Sequence, residues 1–346
     1  MIRYFFLKLG CILFPAMLLV GMVNYFVDPA HIFFSKNYVA GLAIILSKGH
    51  NADNVSNYDE RLLQEQMIIR LKRTPDIVAL GSSRIMQFSS DFFPGKTILN
   101  CGVSHANVKD LIAITGLLDS MRRLPSEILL NADAGLIGSD QTEEWKSLEV
   151  YYHYFMRQSG LPDAGNHFWQ FAGSRQLTSI FSIEYMQASM DFLFRNHTGK
   201  YIDIGTQKPV SGGRFADGSI AYDDAYMHGS ARQRAQFELE TGRKNGIPAP
   251  SEEQQDLLLA LLDFLNKRGA SVSFYLLPYN PDLYNAVNQY HDKAFEQYES
   301  YYRNLAQKRS LSIIGSFNPA VYNISGTMFY DMYHCSKEAI GKIINK

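Results

Sequence analysis

Short apolar segments alternate with longer segments of helical periodicity along most of the chain. Each apolar segment is continuous, which is typical of parallel strands that are covered on both faces. Between them, apolar residues recur at the three- and four-residue spacing of helices. Strand and helix alternation predicts an α/β fold, a three-layer α/β/α sandwich with a mainly parallel five-stranded sheet. The predicted strands are residues 76–81, 97–101, 127–131, 271–277 and 311–314.

The predicted helices lie before, between and after these strands. The first ends before Thr74-Pro75, since the residue that precedes a proline is disfavoured in helical backbone. Residues 135–250 break the alternation, and we interpret them as a large aromatic-rich insertion over the edge of the sheet that carries the site. The predicted helices are residues 59–72, 106–118, 183–194, 252–267, 282–307 and 336–345.

The N-terminal segment predicts a membrane-spanning helix. Residues 9–27 carry no charge and are numerous enough to cross a hydrocarbon core. A cleaved signal peptide and a buried core helix are the alternatives, but no small-x-small cleavage site follows the segment. Because Arg3 and Lys8 precede it, the positive-inside rule places the remaining chain outside the cytoplasm. The predicted organisation is an anchor (1–28), a connector (29–58) and a catalytic domain (59–346).

Composition makes several functional classes improbable. The chain has 33 Lys plus Arg and 34 Asp plus Glu, so no excess of positive charge indicates nucleic-acid binding. Its three cysteines are too few for a disulfide scaffold. The histidines lack the spacing to other ligands that a metal site requires, so we predict no metal and no cofactor.

Two polar motifs follow the ends of predicted strands. Gly81-Ser82-Ser83-Arg84 comes directly after the first strand, where a hydroxyl at a helix start lies beside free backbone N–H groups. Asp331-Met332-Tyr333-His334 lies near the C-terminus, and its spacing lets the carboxylate orient the imidazole. A hydroxyl, a base and a carboxylate are the parts of a nucleophilic acyl-transfer site. The alternatives are a turn with an N-cap serine for the first motif, and a surface carboxylate with a capping histidine for the second.

Together with Asn100-Cys101-Gly102-Val103-Ser104 after the second strand, these motifs resemble those of the SGNH (GDSL-like) hydrolase superfamily. The chain is similar in particular to bacterial membrane-anchored members that modify cell-surface polymers, such as the alginate O-acetylation proteins and the D-alanyl transfer proteins of teichoic acids. The resemblance covers residues 60–134 and 270–346. It leaves the insertion unassigned.

The resemblance implies a role for each matching position. Ser83 is then the nucleophile, His334 the general base and Asp331 its orienting carboxylate, with Ser82 as the competing serine. The backbone N–H groups of Gly102 and Ser83 form an oxyanion hole. Asn131 is the candidate side-chain donor, although the third block, Asn131-Ala132-Asp133, departs from the Gly-x-Asn-Asp of the family.

Three further residues are candidate substrate contacts. Arg84 follows the nucleophile directly, His105 lies near the expected oxyanion loop, and Asp133 follows the third strand. An ordinary surface arginine and helix caps are the alternatives. Cys101 and Cys335 each adjoin a site residue, so a disulfide between them is a further hypothesis.

The implied function is serine-dependent acyl transfer, as an O-acetyltransferase or acyl esterase, on a cell-surface or exported polysaccharide. The resemblance further implies a single-pass protein of the bacterial cytoplasmic membrane with a periplasmic catalytic domain. Its acyl donor would come from a multi-spanning membrane acyltransferase. The alternative is a non-catalytic membrane-anchored module that binds polysaccharide or scaffolds a synthesis complex.

Overall fold

The computed structural model describes residues 2–27, 35–56, 58–139, 142–162, 180–194, 201–210, 212–222 and 231–344. Its helices are α1 (Ile2–Val27), α2 (Ser35–Ser47), α3 (Glu60–Ile69), α4 (Val108–Ser120), α5 (Glu149–Ser159), α6 (Ile183–Phe194), α7 (Ala231–Asn245), α8 (Glu252–Lys267), α9 (Pro281–Tyr290), α10 (Ala294–Arg309) and α11 (Lys337–Ile344). Its strands are β1 (Ala52–Asp53), β2 (Ile77–Leu80), β3 (Ile98–Asn100), β4 (Glu127–Asn131), β5 (Ile202–Asp203), β6 (Gly213–Arg214), β7 (Ile220–Ala221), β8 (Ser271–Leu276) and β9 (Ser312–Gly315).

The protein is an α/β fold around a parallel five-stranded sheet with the strand order β3-β2-β4-β8-β9. Each strand lies within one residue of a segment that the apolar pattern predicts. Successive residues of β2 point to opposite faces, so Val78 packs in one apolar cluster and Ile77 in the other. Helix α4 covers the first face and α11 the second. All five strands therefore present their carboxyl ends at one edge of the sheet.

One predicted helix is divided in two. Residues 282–307 are predicted as continuous, whereas α9 ends at Tyr290 and α10 begins at Ala294. Asp292 and Lys293 between them have φ angles of 47° and 56°. Two successive left-handed residues cannot continue a right-handed helix, and the residue pattern carries no glycine or proline that would mark this break.

The prediction of an N-terminal membrane-spanning helix is wrong. Residues 2–27 form α1, but within the described ranges no helix is both long and apolar enough to cross a membrane. The prediction rests on the absence of charged residues, which does not by itself make a helix apolar. The end of α1 carries a polar residue that bonds within the protein. There α1 packs on α6, and the buried Asn24 donates through Nδ2 to the Ile180 and Ser182 carbonyl oxygens, both at 2.9 Å.

The predicted connector is folded into the domain. Residues 29–58 include α2, which packs on α3, and the short strand β1. Strand β1 pairs with β5 and β6 of the insertion in an antiparallel sheet of order β5-β1-β6-β7. A segment that precedes the main sheet in sequence therefore supports the insertion.

The insertion begins and ends at neighbouring points of the domain. The Ser139 N–H donates to the Ala249 carbonyl oxygen and the Ser251 N–H to that of Ile137, both at 2.8 Å. Because its two ends are paired, the insertion extends from the main fold without separating β4 from β8, which are neighbours in the parallel sheet.

A buried arginine fixes the insertion beside the strand edge. The fully buried Arg214 donates to the Tyr58 hydroxyl at 2.5 Å, to Glu60 Oε1 at 3.1 Å and to the Gly218 carbonyl oxygen at 2.9 Å. Next to it, the Asn100 N–H donates to the Asp217 carbonyl oxygen at 2.8 Å. The loop between β6 and β7 is thereby hydrogen-bonded to the end of β3.

Replacing Arg214 with methionine should lower the free energy of unfolding by about 3 to 5 kcal/mol, because Glu60 then lies largely buried without a cation. Urea unfolding followed by circular dichroism measures this loss. The control Arg309→Met removes a more exposed pair with Asp263 and should cost less than about 1 kcal/mol. Equal losses in the two variants would contradict a stabilising role for the buried pair.

Candidate active site

A tight turn follows β2 and carries the two candidate serines. Gly81 has a φ of 154°, and a Cβ at this position would lie 2.5 Å from Asn131 Cβ, so the close approach of the two strand ends requires glycine. Ser82 is the N-cap of the one-turn 3₁₀ helix Ser83–Ile85. The turn places the Ser82 and Ser83 side chains in different directions.

A compact C-terminal loop carries the candidate base. Phe329 and Cys335 form an antiparallel bridge, and the Tyr330 N–H donates to the His334 carbonyl oxygen at 2.9 Å. The Asn280 N–H, at the start of α9, donates to the Met332 carbonyl oxygen at 3.1 Å. These bonds hold the loop at the end of β8, on the same sheet edge as the turn after β2.

Ser83, His334 and Asp331 form a continuous hydrogen-bonded chain. His334 Nδ1 lies 2.7 Å from Asp331 Oδ2, and His334 Nε2 lies 2.8 Å from Ser83 Oγ. Because the ionised carboxylate only accepts, Nδ1 carries the proton and Nε2 accepts from the serine hydroxyl. The structure thus brings together all three residues for which a catalytic role is predicted.

Hydrogen bonds keep the Asp331 carboxylate charged in a buried position. Burial alone would raise its pKa, but the side-chain hydrogen bond and charge of His334, with further donation from the backbone N–H groups of His334 and Tyr333, lower the pKa to about 2. The carboxylate is therefore ionised at neutral pH, as an orienting partner of an imidazole must be.

Ser82 has different partners from Ser83. Its hydroxyl donates to Asp133 Oδ2 at 2.7 Å and lies 3.2 Å from Asn131 Oδ1. It also accepts from the Arg84 N–H at 3.4 Å. Of the two serines, Ser83 is the one whose hydroxyl is bonded to the imidazole.

The predicted oxyanion hole is only partly present in this geometry. The Gly102 N–H donates to Asn100 Oδ1 at 2.9 Å, and Asn131 Nδ2 donates to the Tyr275 carbonyl oxygen at 3.3 Å. Both groups are buried, the Gly102 N–H is occupied, and one of the two N–H donors of the Asn131 amide is bonded within the protein. By contrast, no acceptor in the described part of the chain lies within reach of the Ser83 N–H.

Of the three residues predicted to contact substrate, Arg84 and Asp133 are buried and only His105 is exposed. Arg84 and Asp133 are 6% and 7% exposed, Arg84 Nη2 donates to the Leu277 and Pro278 carbonyl oxygens, and Asp133 accepts from Ser82. A substrate contact for either is therefore not favoured, and Arg84 is not a surface arginine either. His105 is exposed with a φ of 51°, and the N-cap of α4 is Asn107 rather than His105.

The two cysteines beside the site are not bonded to each other. Cys101 and Cys335 are both free and buried, and they lie in the two different apolar clusters on opposite faces of the sheet. The disulfide hypothesis is wrong. Each cysteine is next to a site residue in sequence, but this does not determine on which face of the sheet its side chain packs.

Tyr222 is a site neighbour that the sequence does not reveal. Its ring centroid lies 5.8 Å from that of His334 and 5.3 Å from that of Tyr330, both in edge-to-face geometry. It directly follows β7, which is held beside the turn by a 2.8 Å hydrogen bond from the Ile220 N–H to the Met86 carbonyl oxygen. No motif marks Tyr222, because its position depends on how the insertion docks.

No protein-family model matches the chain, and neither a curated protein nor a solved structure matches it. Membership of the SGNH superfamily therefore stays a prediction from the motifs.

The ionised Asp331 carboxylate should stabilise the native state relative to the unfolded chain at neutral pH, and this contribution should be lost as the pH falls. Its native pKa of about 2 lies below the ordinary value of 3.8, so the unfolded chain takes up the proton first as the pH falls. The contribution, about 2 kcal/mol, is complete above about pH 4 and is lost towards about pH 2.

Urea unfolding of the wild type and of Asp331→Asn across this pH range measures that contribution. The wild type should lose stability more steeply as the pH falls, so that the difference between the two proteins shrinks. A difference that stays constant down to the lowest pH would contradict the depressed pKa of Asp331.

Proposed function

We propose that the chain is a serine-dependent acyltransferase or esterase of the SGNH type. The observation that carries the proposal is the hydrogen-bonded chain from Ser83 through His334 to Asp331 at the carboxyl edge of a parallel sheet. Nucleophile, base and orienting carboxylate in this order are the arrangement that activates a hydroxyl for attack on an acyl carbon.

In the first half-reaction, Ser83 Oγ attacks the carbonyl carbon of an ester while its proton passes to His334 Nε2. The buried Asp331 stabilises the imidazolium that forms. The backbone N–H of Ser83 itself, at the start of the 3₁₀ turn, is the candidate donor to the oxyanion that develops on the substrate. His334 then gives the proton to the leaving alkoxide oxygen, and the acyl group remains as an ester on Ser83.

In the second half-reaction, a hydroxyl takes the acyl group from Ser83. The acceptor gives its proton to His334 Nε2 and attacks the acyl carbon, and Ser83 regains its proton from the imidazolium. Water as acceptor makes the protein an esterase, and a sugar hydroxyl makes it a transferase. Tyr222 lies beside His334, so the insertion is placed to influence this choice.

A polysaccharide as acceptor, with O-acetylation as the reaction, is part of the proposal through the motif resemblance alone. The same holds for a multi-spanning membrane acyltransferase as donor partner. Neither is needed for the acyl-serine chemistry, which depends only on residues of this chain.

A second function is favoured by the oxyanion region. Two predicted donors, the Gly102 N–H and the Asn131 amide, are bonded to other acceptors. Losing one such donor costs about 3 kcal/mol of transition-state stabilisation, so we expect slower acyl transfer than a complete oxyanion hole would allow. A non-catalytic module that binds polysaccharide or scaffolds a synthesis complex is the corresponding alternative.

The purified chain should hydrolyse p-nitrophenyl acetate and be labelled once by a serine-directed fluorophosphonate, as seen by intact mass. Ser83→Ala should abolish labelling and lower the rate by about 10³-fold or more, because it removes the nucleophile.

Ser82→Ala is the matched control, since it removes the neighbouring hydroxyl and leaves the Ser83–His334 hydrogen bond in place. It should keep the label. Absence of both turnover and labelling in the wild type would favour the non-catalytic module, and loss of labelling in Ser82→Ala but not Ser83→Ala would assign the nucleophile to the other serine.

A further inference from the structure

Arg84, directly after Ser83, is a buried cation at the candidate active site. Its Nη2 donates to the Leu277 carbonyl oxygen at 2.5 Å and to that of Pro278 at 2.8 Å, where the chain leaves β8. The carbon at the centre of its guanidinium lies 3.7 Å from the centroid of the Tyr279 ring. The turn after β2 is thereby joined to the end of β8.

The same guanidinium reaches the loop that carries the base. Arg84 Nε donates to the Tyr333 carbonyl oxygen at 3.2 Å. Ser83 and Arg84 are adjacent in sequence, as are His334 and Tyr333. Two parallel hydrogen bonds therefore connect the turn with the loop, one through Ser83 and His334 and one through their neighbours.

Charge balance at this position depends on a second carboxylate. Asp133 Oδ2 lies 3.8 Å from Arg84 Nη1 and accepts from the Ser82 hydroxyl at 2.7 Å. Nη1 itself is buried and has no hydrogen-bond partner within the described ranges. The positive charge of Arg84 is thus partly balanced by Asp133, and its Nε and Nη2 groups donate to three carbonyl oxygens.

Other segments of the protein bond the C-terminal loop at residues 331 and 332, ahead of Tyr333 and His334. The Met332 N–H donates to Glu238 Oε2 at 3.0 Å, and Asn280 bonds to the Met332 and Asp331 carbonyl oxygens. These contacts from outside the loop hold residues 331–332, whereas Arg84 bonds Tyr333, the residue before the imidazole. Without Arg84 the loop can stay folded while its position relative to Ser83 changes.

We propose that Arg84 is a positioning residue that sets the distance between Ser83 Oγ and His334 Nε2 by binding the Tyr333 carbonyl oxygen. Its catalytic consequence rests on the proposed acyl-transfer function. The planar guanidinium bonds the three carbonyl oxygens through a fixed fork and stacks on Tyr279, which the ammonium of a lysine cannot reproduce. Arg84 is buried, so it acts through His334 and not by binding the substrate.

The first test measures turnover of p-nitrophenyl acetate by the full chain. In Arg84→Met and Arg84→Lys, kcat should fall by about 100-fold, the effect of a misplacement of about 1 Å, with KM unchanged. In Arg84→Ala, added guanidinium ion should restore part of kcat. Arg61→Met is the control, since Arg61 is an equally buried arginine that bonds Asp110, Glu144 and the Ser104 carbonyl oxygen and no residue of the C-terminal loop.

The second test does not depend on turnover. The Nδ1–H proton of His334, assigned by its loss in His334→Gln, should give a low-field proton resonance in the wild type because Asp331 accepts from it. The resonance should broaden or disappear in Arg84→Lys, which retains the charge, and persist in Arg61→Met. Arg84→Lys decides the outcome if Arg84→Met does not fold.

The two tests separate this inference from the proposed function. A wild type without turnover or labelling overturns the acyl-transfer proposal, whereas the imidazole resonance still reports on Arg84. A resonance that is the same in the wild type and Arg84→Lys, or equal losses of kcat per folded molecule in the Arg84 and Arg61 variants, overturns the positioning role.

Discussion

The hydrogen bond between Ser83 Oγ and His334 Nε2 is the contact on which the candidate site depends. It joins residues 251 positions apart, and neither residue lies in a regular strand or α-helix. Such a contact requires that the end of β2 and the loop after β9 meet at one sheet edge. Parallel strands meet this requirement, because their carboxyl ends all lie at the same edge and the intervening helices return the chain to the other.

Two buried arginines fix the segments that surround this contact. Arg84 joins the turn after β2 to the end of β8 and to the C-terminal loop, while Arg214 joins the insertion to Tyr58 and Glu60. Each is compensated by a carboxylate and carbonyl oxygens, because an isolated buried charge is strongly unfavourable. Through these bonds the two arginines hold loop segments that lack the repeating hydrogen bonds of helices and strands.

The sequence predicts regular elements and the triad better than it predicts their surroundings. Continuous apolar segments identify all five parallel strands, since burial on both faces leaves that pattern, and Asp331 and His334 are close in sequence. The bonding of the Gly102 N–H to Asn100 Oδ1, the burial of Arg84 and the place of Tyr222 depend on contacts between distant segments. The membrane-span prediction fails for a different reason: absence of charge alone does not make a helix apolar enough to cross a membrane, and no described helix is.

The two serines show how the site separates its carboxylates. Asp331 is bonded to His334, and Asp133 is bonded to Ser82 and lies near Arg84. Asp133 Oδ1 also accepts from the Gly135 N–H at 2.8 Å and from the Tyr279 hydroxyl at 3.4 Å. Asp133 is therefore held on the Arg84 side of the turn by several donors. The two neighbouring hydroxyls contact different carboxylates, Ser82 directly and Ser83 through His334, so the two serines cannot replace each other in the hydrogen-bonded chain.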